Sequence, residues 1–247
     1  MNTSESENAF HKFFKLVLAD TETLREEVFR IRYEVYCKEL HYEDVSNFTD
    51  GLEHDSFDER SRHCLLLHRP SNTYAGCVRM VFNEKQVPDQ LLPFEKNCGY
   101  SLRREAIELA MREREYVGEA SRLAVTANFR RRKSDAESPL GEISDAQRSI
   151  DEDKRKFSCI APGLYLAAAD IGLRAGLKGV FAMMEPRLVR HLIRFGIHFQ
   201  QIGDIVDYHG PRAAYYVNLG TLYEGLTPEM KGMFNIIHSD LDGGVTH

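Results

Sequence analysis

Tyr116-Val117-Gly118-Glu119-Ala120-Ser121-Arg122-Leu123-Ala124-Val125 is the stretch on which the reading of this chain turns. Its apolar and β-branched residues describe a core strand, yet a carboxylate, a hydroxyl and a guanidinium stand within four residues inside it. Charge taken out of water is costly unless it is paired or used. Glu119, Ser121 and Arg122 therefore mark a site on a central strand. Strict alternation puts Val117, Glu119, Ser121 and Leu123 on one face of the sheet and Arg122 on the other. Glu119 and Arg122 then share a site only at a bulge or a strand end.

Upstream, Phe13-Phe14-Lys15-Leu16-Val17-Leu18 reads as a first strand, and Thr23 with Glu26 three residues on has the form of a capping box that starts a helix. Leu24, Val28, Ile31 and Val35 make one apolar stripe on that helix, with Arg32 and Tyr36 a turn apart on its flank. Residues 39–60 are polar, acidic and aromatic, and too long for an ordinary connection, which predicts a substrate-side loop. Strands over 63–68 and 74–82 flank the turn Arg69-Pro70-Ser71-Asn72-Thr73, a hairpin signal. A charged helix over 102–114 leads into the central strand.

Downstream, 128–156 has the composition of a mobile insertion. A helix over 162–175, a strand over 180–184 and a helix over 186–195 follow. Strands over 199–208 and 214–219 are linked by His209-Gly210-Pro211-Arg212. Helices and strands mixed in this order, with neighbouring hairpins, predict an α/β fold whose central sheet is mixed, mostly antiparallel, and flanked by helices.

The 247 residues, 43% of them hydrophobic, suffice for one folded domain preceded by a mobile tail over 1–10. A net charge of −6 argues against a general nucleic-acid binder. The five cysteines, Cys37, Cys64, Cys77, Cys98 and Cys159, are scattered and never form a CxxC pair, and the histidines lack ligand spacing. Neither a disulfide framework nor a metal is expected. The polar, acidic N-terminus and the absence of any long apolar window predict a cytoplasmic protein with no integral membrane segment.

Four segments taken together resemble a known family: Arg32-Tyr33-Glu34-Val35-Tyr36 with Tyr42, Asp55-Ser56-Phe57-Asp58, Gly76-Cys77-Val78-Arg79, and Glu119-Ala120-Ser121-Arg122. They resemble the autoinducer synthases that make acyl-homoserine lactones, and the related N-acyl amino acid synthases, including those associated with exosortase and PEP-CTERM gene clusters. The resemblance implies a GNAT-like acyltransferase fold. It also implies a catalytic set of Glu119, Arg122 and Ser121, with Arg32, Tyr36, Tyr42, Asp55, Asp58 and Arg79 binding substrate. Tyr36 stands where the autoinducer pattern has Phe, Tyr42 where it has Trp, and Leu123 where it has Phe. With the 128–156 insertion and the segment His209-Gly210-Pro211-Arg212-Ala213-Ala214-Tyr215-Tyr216, these departures favour an amino acid acceptor over S-adenosylmethionine.

N-acylation needs a base for the ammonium proton, charge stabilisation for the tetrahedral oxyanion, and an apolar channel for the acyl chain. Glu119 is the candidate base, its pKa raised by desolvation. Arg122, Arg79 and Arg32 either orient that carboxylate or bind the acceptor's carboxylate bidentately, and the residues alone do not divide these roles. Asp55 and Asp58 hold the acceptor's ammonium or brace the arginines. The plainer alternative for Glu119 and Arg122 is a structural ion pair. Arg130, Arg131, Arg132 and Lys133 form a basic cluster suited to the acidic surface of an acyl carrier protein, or else a solvated turn. The glycine-rich acyl-CoA loop of GNAT enzymes is missing there, which points to an acyl carrier protein thioester rather than acyl-CoA as donor, with no bound cofactor. The expected function is transfer of a fatty acyl group from acyl carrier protein to the amine of an amino acid. The alternatives are an acyl-homoserine lactone synthase using S-adenosylmethionine and a non-catalytic module that binds acyl chains or carrier protein.

Overall fold

The computed structural model describes residues 10–83, 90–105, 108, 114–130 and 159–242. The tail expected over 1–10 apart from Phe10, which is helical and buried, most of the charged helix expected over 102–114 and nearly all of the 128–156 insertion lie outside the described residues.

Strand β1 (Phe14–Leu18) pairs with β2 (Ser61–His68), which forms a hairpin with β3 (Thr73–Phe82), and β3 pairs with β4 (Val117–Val125), each pairing antiparallel. The next neighbour, β5 (Gly179–Met184), runs parallel to β4. On its far side β5 pairs antiparallel with β8 (Pro211–Asn218), which also takes the two-residue strands β6 (Gln200–Gln201) and β7 (Val206–Asp207). The strand expected over 199–208 is thus two short pieces, interrupted where Gly203 bridges back to Leu102.

One face of the sheet is covered by α3 (Ile160–Arg174) together with the C-terminal helix α6 (Pro228–Asp242), which had no counterpart in the sequence reading. Helix α3 is apolar almost all round and buried along nearly its whole length, as expected of a helix enclosed by a sheet and a second helix. The other face carries α1 (Glu22–Arg32), α2 (Pro93–Cys98) and the 40–60 loop, with Val28, Ile31 and Val35 packed on Leu65, Cys77 and Ala124. The expected cap is displaced: Thr21, not Thr23, starts α1, its Oγ1 accepting the Leu24 N–H at 3.3 Å. Two further helices, α4 (Pro186–Ile193) and α5 (Leu219–Gly225), close the β5–β8 side.

Helix α1 does not simply stop. It runs on into a π-helical segment, Tyr33–Glu39, whose wider turn takes Tyr36 off the flank and buries it. Its hydroxyl donates to the Leu123 carbonyl at 2.8 Å, tying this segment to the central strand.

Strand β4 is bulged. Cys77 pairs with Ala124 and Arg79 with Ser121, so Arg122 and Leu123 together face the single residue Val78. Arg122 takes φ 48°, the left-handed conformation a bulge residue can adopt. Alternation restarts out of phase, and the packing shows it: Ala120, Leu123 and Val125 lie in the core under α3, while Ala124 packs against α1. Leu123 is therefore off the face predicted by strict alternation. Glu119, Ser121 and Arg122 come to one face because of the bulge.

Candidate active site

The parallel β4–β5 ladder consists of Val117 with Gly179, Gly118 with Val180 and Glu119 with Phe181. Beyond Glu119 the strands separate, and a solvent-open cleft with a cavity volume of about 110 Å³ occupies the gap. Glu119, Ala120, Ser121, Arg122 and Leu123 form one wall, Met183, Met184 and Leu188 another, and Tyr36, Tyr42, Asp55 and Arg79 the floor toward α1. Ala120 and Tyr165 also line a second, almost wholly apolar and tightly packed recess of about 10 Å³ that reaches Leu166, Ile197, Phe199 and Leu222.

Glu119 is 2% exposed and accepts the Phe94 N–H at 2.8 Å. Helix α2 is held for this contact by Arg114, which donates to both carboxylate oxygens of Glu95 at 2.8 Å. Burial raises the Glu119 pKa from its ordinary 4.5 to about 8, with the Phe94 amide and the Arg79 charge opposing only part of the rise. Among the described residues no guanidinium bonds to it, so the geometry does not contain the alternative structural pair of Glu119 with Arg122.

Arg122 instead donates to Glu43 at 2.9 Å and Glu53 at 3.2 Å, and its Nη2 lies 3.5 Å from Asp55. Arg79, 1% exposed in β3, donates to Asp55 at 2.6 Å, Asp58 at 2.8 Å and Ser121 Oγ at 3.1 Å. Ser121 therefore serves as an acceptor that fixes Arg79. Arg32 is completely buried, paired with Glu53 and, at 2.7 Å, with Asp58. Burial alone would push the Asp58 carboxyl up, but Arg32 and Arg79 hold it well below the ordinary carboxylate range, and Glu53 and Asp55 are lowered by the same competition. His63, level with Arg79 in the β2–β3 register, is pushed down to about 4 by burial, so it adds no further positive charge at neutral pH.

Two residues expected to touch substrate lie behind the cleft wall. Arg32 and Asp58 do not line it; their place is beneath Arg79 and Arg122, which they hold through shared carboxylates. Glu53, 1% exposed, was missed because it sits in an acidic stretch without periodicity, where nothing local distinguishes a buried carboxylate from a solvated one. Glu43, His209 and Arg212, which also line the cleft, escaped for the same reason or because their turn is distant in sequence. The Arg130 side chain is 5% exposed and paired with Glu39. Arg131, Arg132 and Lys133 lie outside the described residues. Among the described residues no cluster of His, Cys, Asp or Glu has the form of a metal site, and no helix is long and apolar enough to cross a membrane.

The family model of the acetyltransferase (GNAT) domain matches residues 31–137, which include β2, β3 and the bulged β4. Among solved structures, TofI in a ternary complex with an inhibitor and MTA is similar at TM-score 0.58 and 16% identity, over 87% of this chain and 99% of that one. FeeM, an N-acyl amino acid synthase from uncultured soil microbes, is similar at TM-score 0.56 and 13% identity, over 88% and 97%. BjaI, a CoA-dependent acyl-homoserine lactone synthase solved with SAM and isopentyl-CoA, is similar at 0.54 and 17%, over 93% and 89%. No curated protein sequence matches significantly. The chain has an α/β GNAT-like fold, and the domain match supports an enzyme of the acyltransferase type.

Proposed function

We propose that this protein is an N-acyltransferase that moves a fatty acyl group from acyl carrier protein to the amine of an amino acid. The observation that carries the reading is Glu119, a buried carboxyl with a pKa near 8 at the point where β4 and β5 part. A base with that pKa accepts the proton of an attacking ammonium near neutral pH, where an ordinary carboxylate is too weak. The amine nitrogen forms the bond to the thioester carbonyl, the C–S bond breaks, and the thiol leaves with a proton.

The cleft supplies the other requirements. Beyond Glu119, β4 presents to the cleft an edge without a β5 partner, to which an extended, amide-bearing carrier arm can add by main-chain hydrogen bonds. The apolar side chains behind Ala120 and Tyr165, among them Leu166, Phe199 and Leu222, are closely packed with room for about one water, so the acyl chain enters there only as they move apart. Asp55 and Glu43 place negative charge beside the acceptor's ammonium. Acyl carrier protein is favoured as donor because Thr126-Ala127-Asn128-Phe129-Arg130, directly after β4, contains no glycine for an acyl-CoA loop. Arg131, Arg132 and Lys133 remain the candidates for docking it. The likeness of His209–Tyr216 to the exosortase-associated synthases belongs to this same proposal.

Incubating the purified chain with long-chain acyl carrier protein or acyl-CoA and either amino acids or S-adenosylmethionine, then weighing the products by mass spectrometry, tests it. An N-acyl amino acid formed preferentially from the carrier-protein donor is expected. A lactone from S-adenosylmethionine would replace the proposal with the autoinducer-synthase alternative. Carrier-protein binding without any product would leave a non-catalytic binding module.

A further inference from the structure

The sequence leaves three arginines, Arg32, Arg79 and Arg122, as candidates for the acceptor's carboxylate. The structure removes that role from all three. They are enclosed by Glu43, Glu53, Asp55 and Asp58, so three guanidinium groups face four carboxylates. A fifth carboxylate arriving there adds like charge to a cluster that already has an excess of one negative charge, at a cost that grows with burial.

We infer that Arg212 holds the acceptor's carboxylate, which makes the acceptor an α-amino acid with a free acid group; the inference rests on the acyltransferase reading above. Arg212 is the second residue of β8 and lines the same cleft as the carboxylate cluster's half-buried members, Glu43 and Asp55. Its Nε is buried without a hydrogen-bond partner, and among the described residues no carboxylate pairs with its guanidinium. The guanidinium is half-buried, and the N–H shut away from water without an acceptor is an unfavourable arrangement that a ligand carboxylate relieves. The guanidinium is held in place by Tyr42, over whose ring it lies at 5.6 Å from the centroid, and Tyr42 is stacked on its other partner, His209, at 4.4 Å. His209 and Gly210 take φ 55° and 93°, a left-handed turn that returns the chain into β8 and brings His209 and Arg212 to the same cleft. Burial, then the charges of Arg212 and Arg122, lower the His209 pKa, so the imidazole stays neutral beside Arg212.

The test measures acylation of an amino acid and of its primary amide by the full chain and by Arg212→Gln and Arg212→Lys, alongside calorimetric binding of the amino acid without donor. The wild type is expected to prefer the free acid by about 10- to 150-fold in kcat/KM, the value of one charge-assisted contact. Arg212→Gln abolishes this preference by lowering the rate on the acid while leaving the amide within about twofold, and the retained amide activity verifies the fold. Arg212→Lys, a point charge in place of a planar fork, restores part of the preference and serves alone if the Gln variant does not fold. An unchanged acid-to-amide ratio in either variant overturns the assignment, as does failure of the wild type to bind free amino acids. Arg212-dependent binding of amino acids without acylation would sink the acyltransferase reading and leave the carboxylate site standing.

Discussion

At the scale of single residues, Glu119 is where the chemistry and the stability of this protein oppose each other. Its folded pKa is about 8 against an ordinary 4.5, so the folded state binds the proton more tightly than the unfolded state. The stabilisation that comes with the buried neutral acid is complete below about pH 4.5 and is lost as pH rises through about 8. Activity has the reverse dependence, because only the ionised form is a base: kcat/KM should climb with pH and level off above about 8. Glu119→Gln keeps the neutral shape and removes the base, so turnover should fall about 10²–10⁴-fold. Scanning calorimetry should also find the variant melting several degrees above wild type at pH 9, with the gap closing toward pH 5, since 1 kcal/mol shifts Tm by roughly 2–4 °C at this size. Wild-type turnover in the variant, or a pH-independent gap, would remove Glu119 from the role of base. Glu119 itself was legible in the sequence as a carboxylate inside an apolar run. Glu53 and Arg212 were not, since what singles each out is a relation to distant residues: Glu53 links Arg32 and Arg122, 21 and 69 positions away.

At the scale of elements, composition identified β4, a turn signal between two β-rich runs identified the β2–β3 hairpin, and strict alternation along β4 concealed the bulge. A periodic pattern cannot report the place where its own phase slips, so the sequence could state only that Glu119 and Arg122 required an irregularity. One local sign was present. Gly76 in β3 faces the restarted part of β4, where a Cβ would stand 2.4 Å from the Ala124 carbonyl oxygen and 3.2 Å from the Val125 Cα. Both are backbone atoms of a paired strand, which cannot swing aside as a side chain can. Gly76→Ala should therefore push β3 and β4 apart beside the bulge and cost more than about 2 kcal/mol, in the range of severe single substitutions. Urea unfolding measures the cost. A variant as stable as wild type would mean that the two strands tolerate separation, and that Gly76 is not what permits their close approach.

At the scale of the whole molecule, the two faces of one sheet have different tasks. The site occupies the face under α1, α2 and the 40–60 loop, whereas most of the apolar core lies on the opposite face, where one cluster runs from Phe10 to Leu241. The C-terminal helix belongs to that cluster and also reaches the opposite end of the chain, for Asp240 accepts the Leu16 N–H at 3.1 Å and His238 meets Asp170 of α3 at 2.6 Å. A sheet shared by both faces should couple them into one cooperative unit, even though no residue of α6 lines the cleft. Ile237, fully buried in α6, separates the two tasks. Ile237→Ala should lower stability by about 2–4 kcal/mol through lost transfer energy and a cavity. It should leave kcat at 25 °C unchanged, and far-UV circular dichroism and loss of activity should follow a single, earlier thermal transition. Two separate transitions, or activity lost well before the fold melts, would show that the site face and the core face unfold independently.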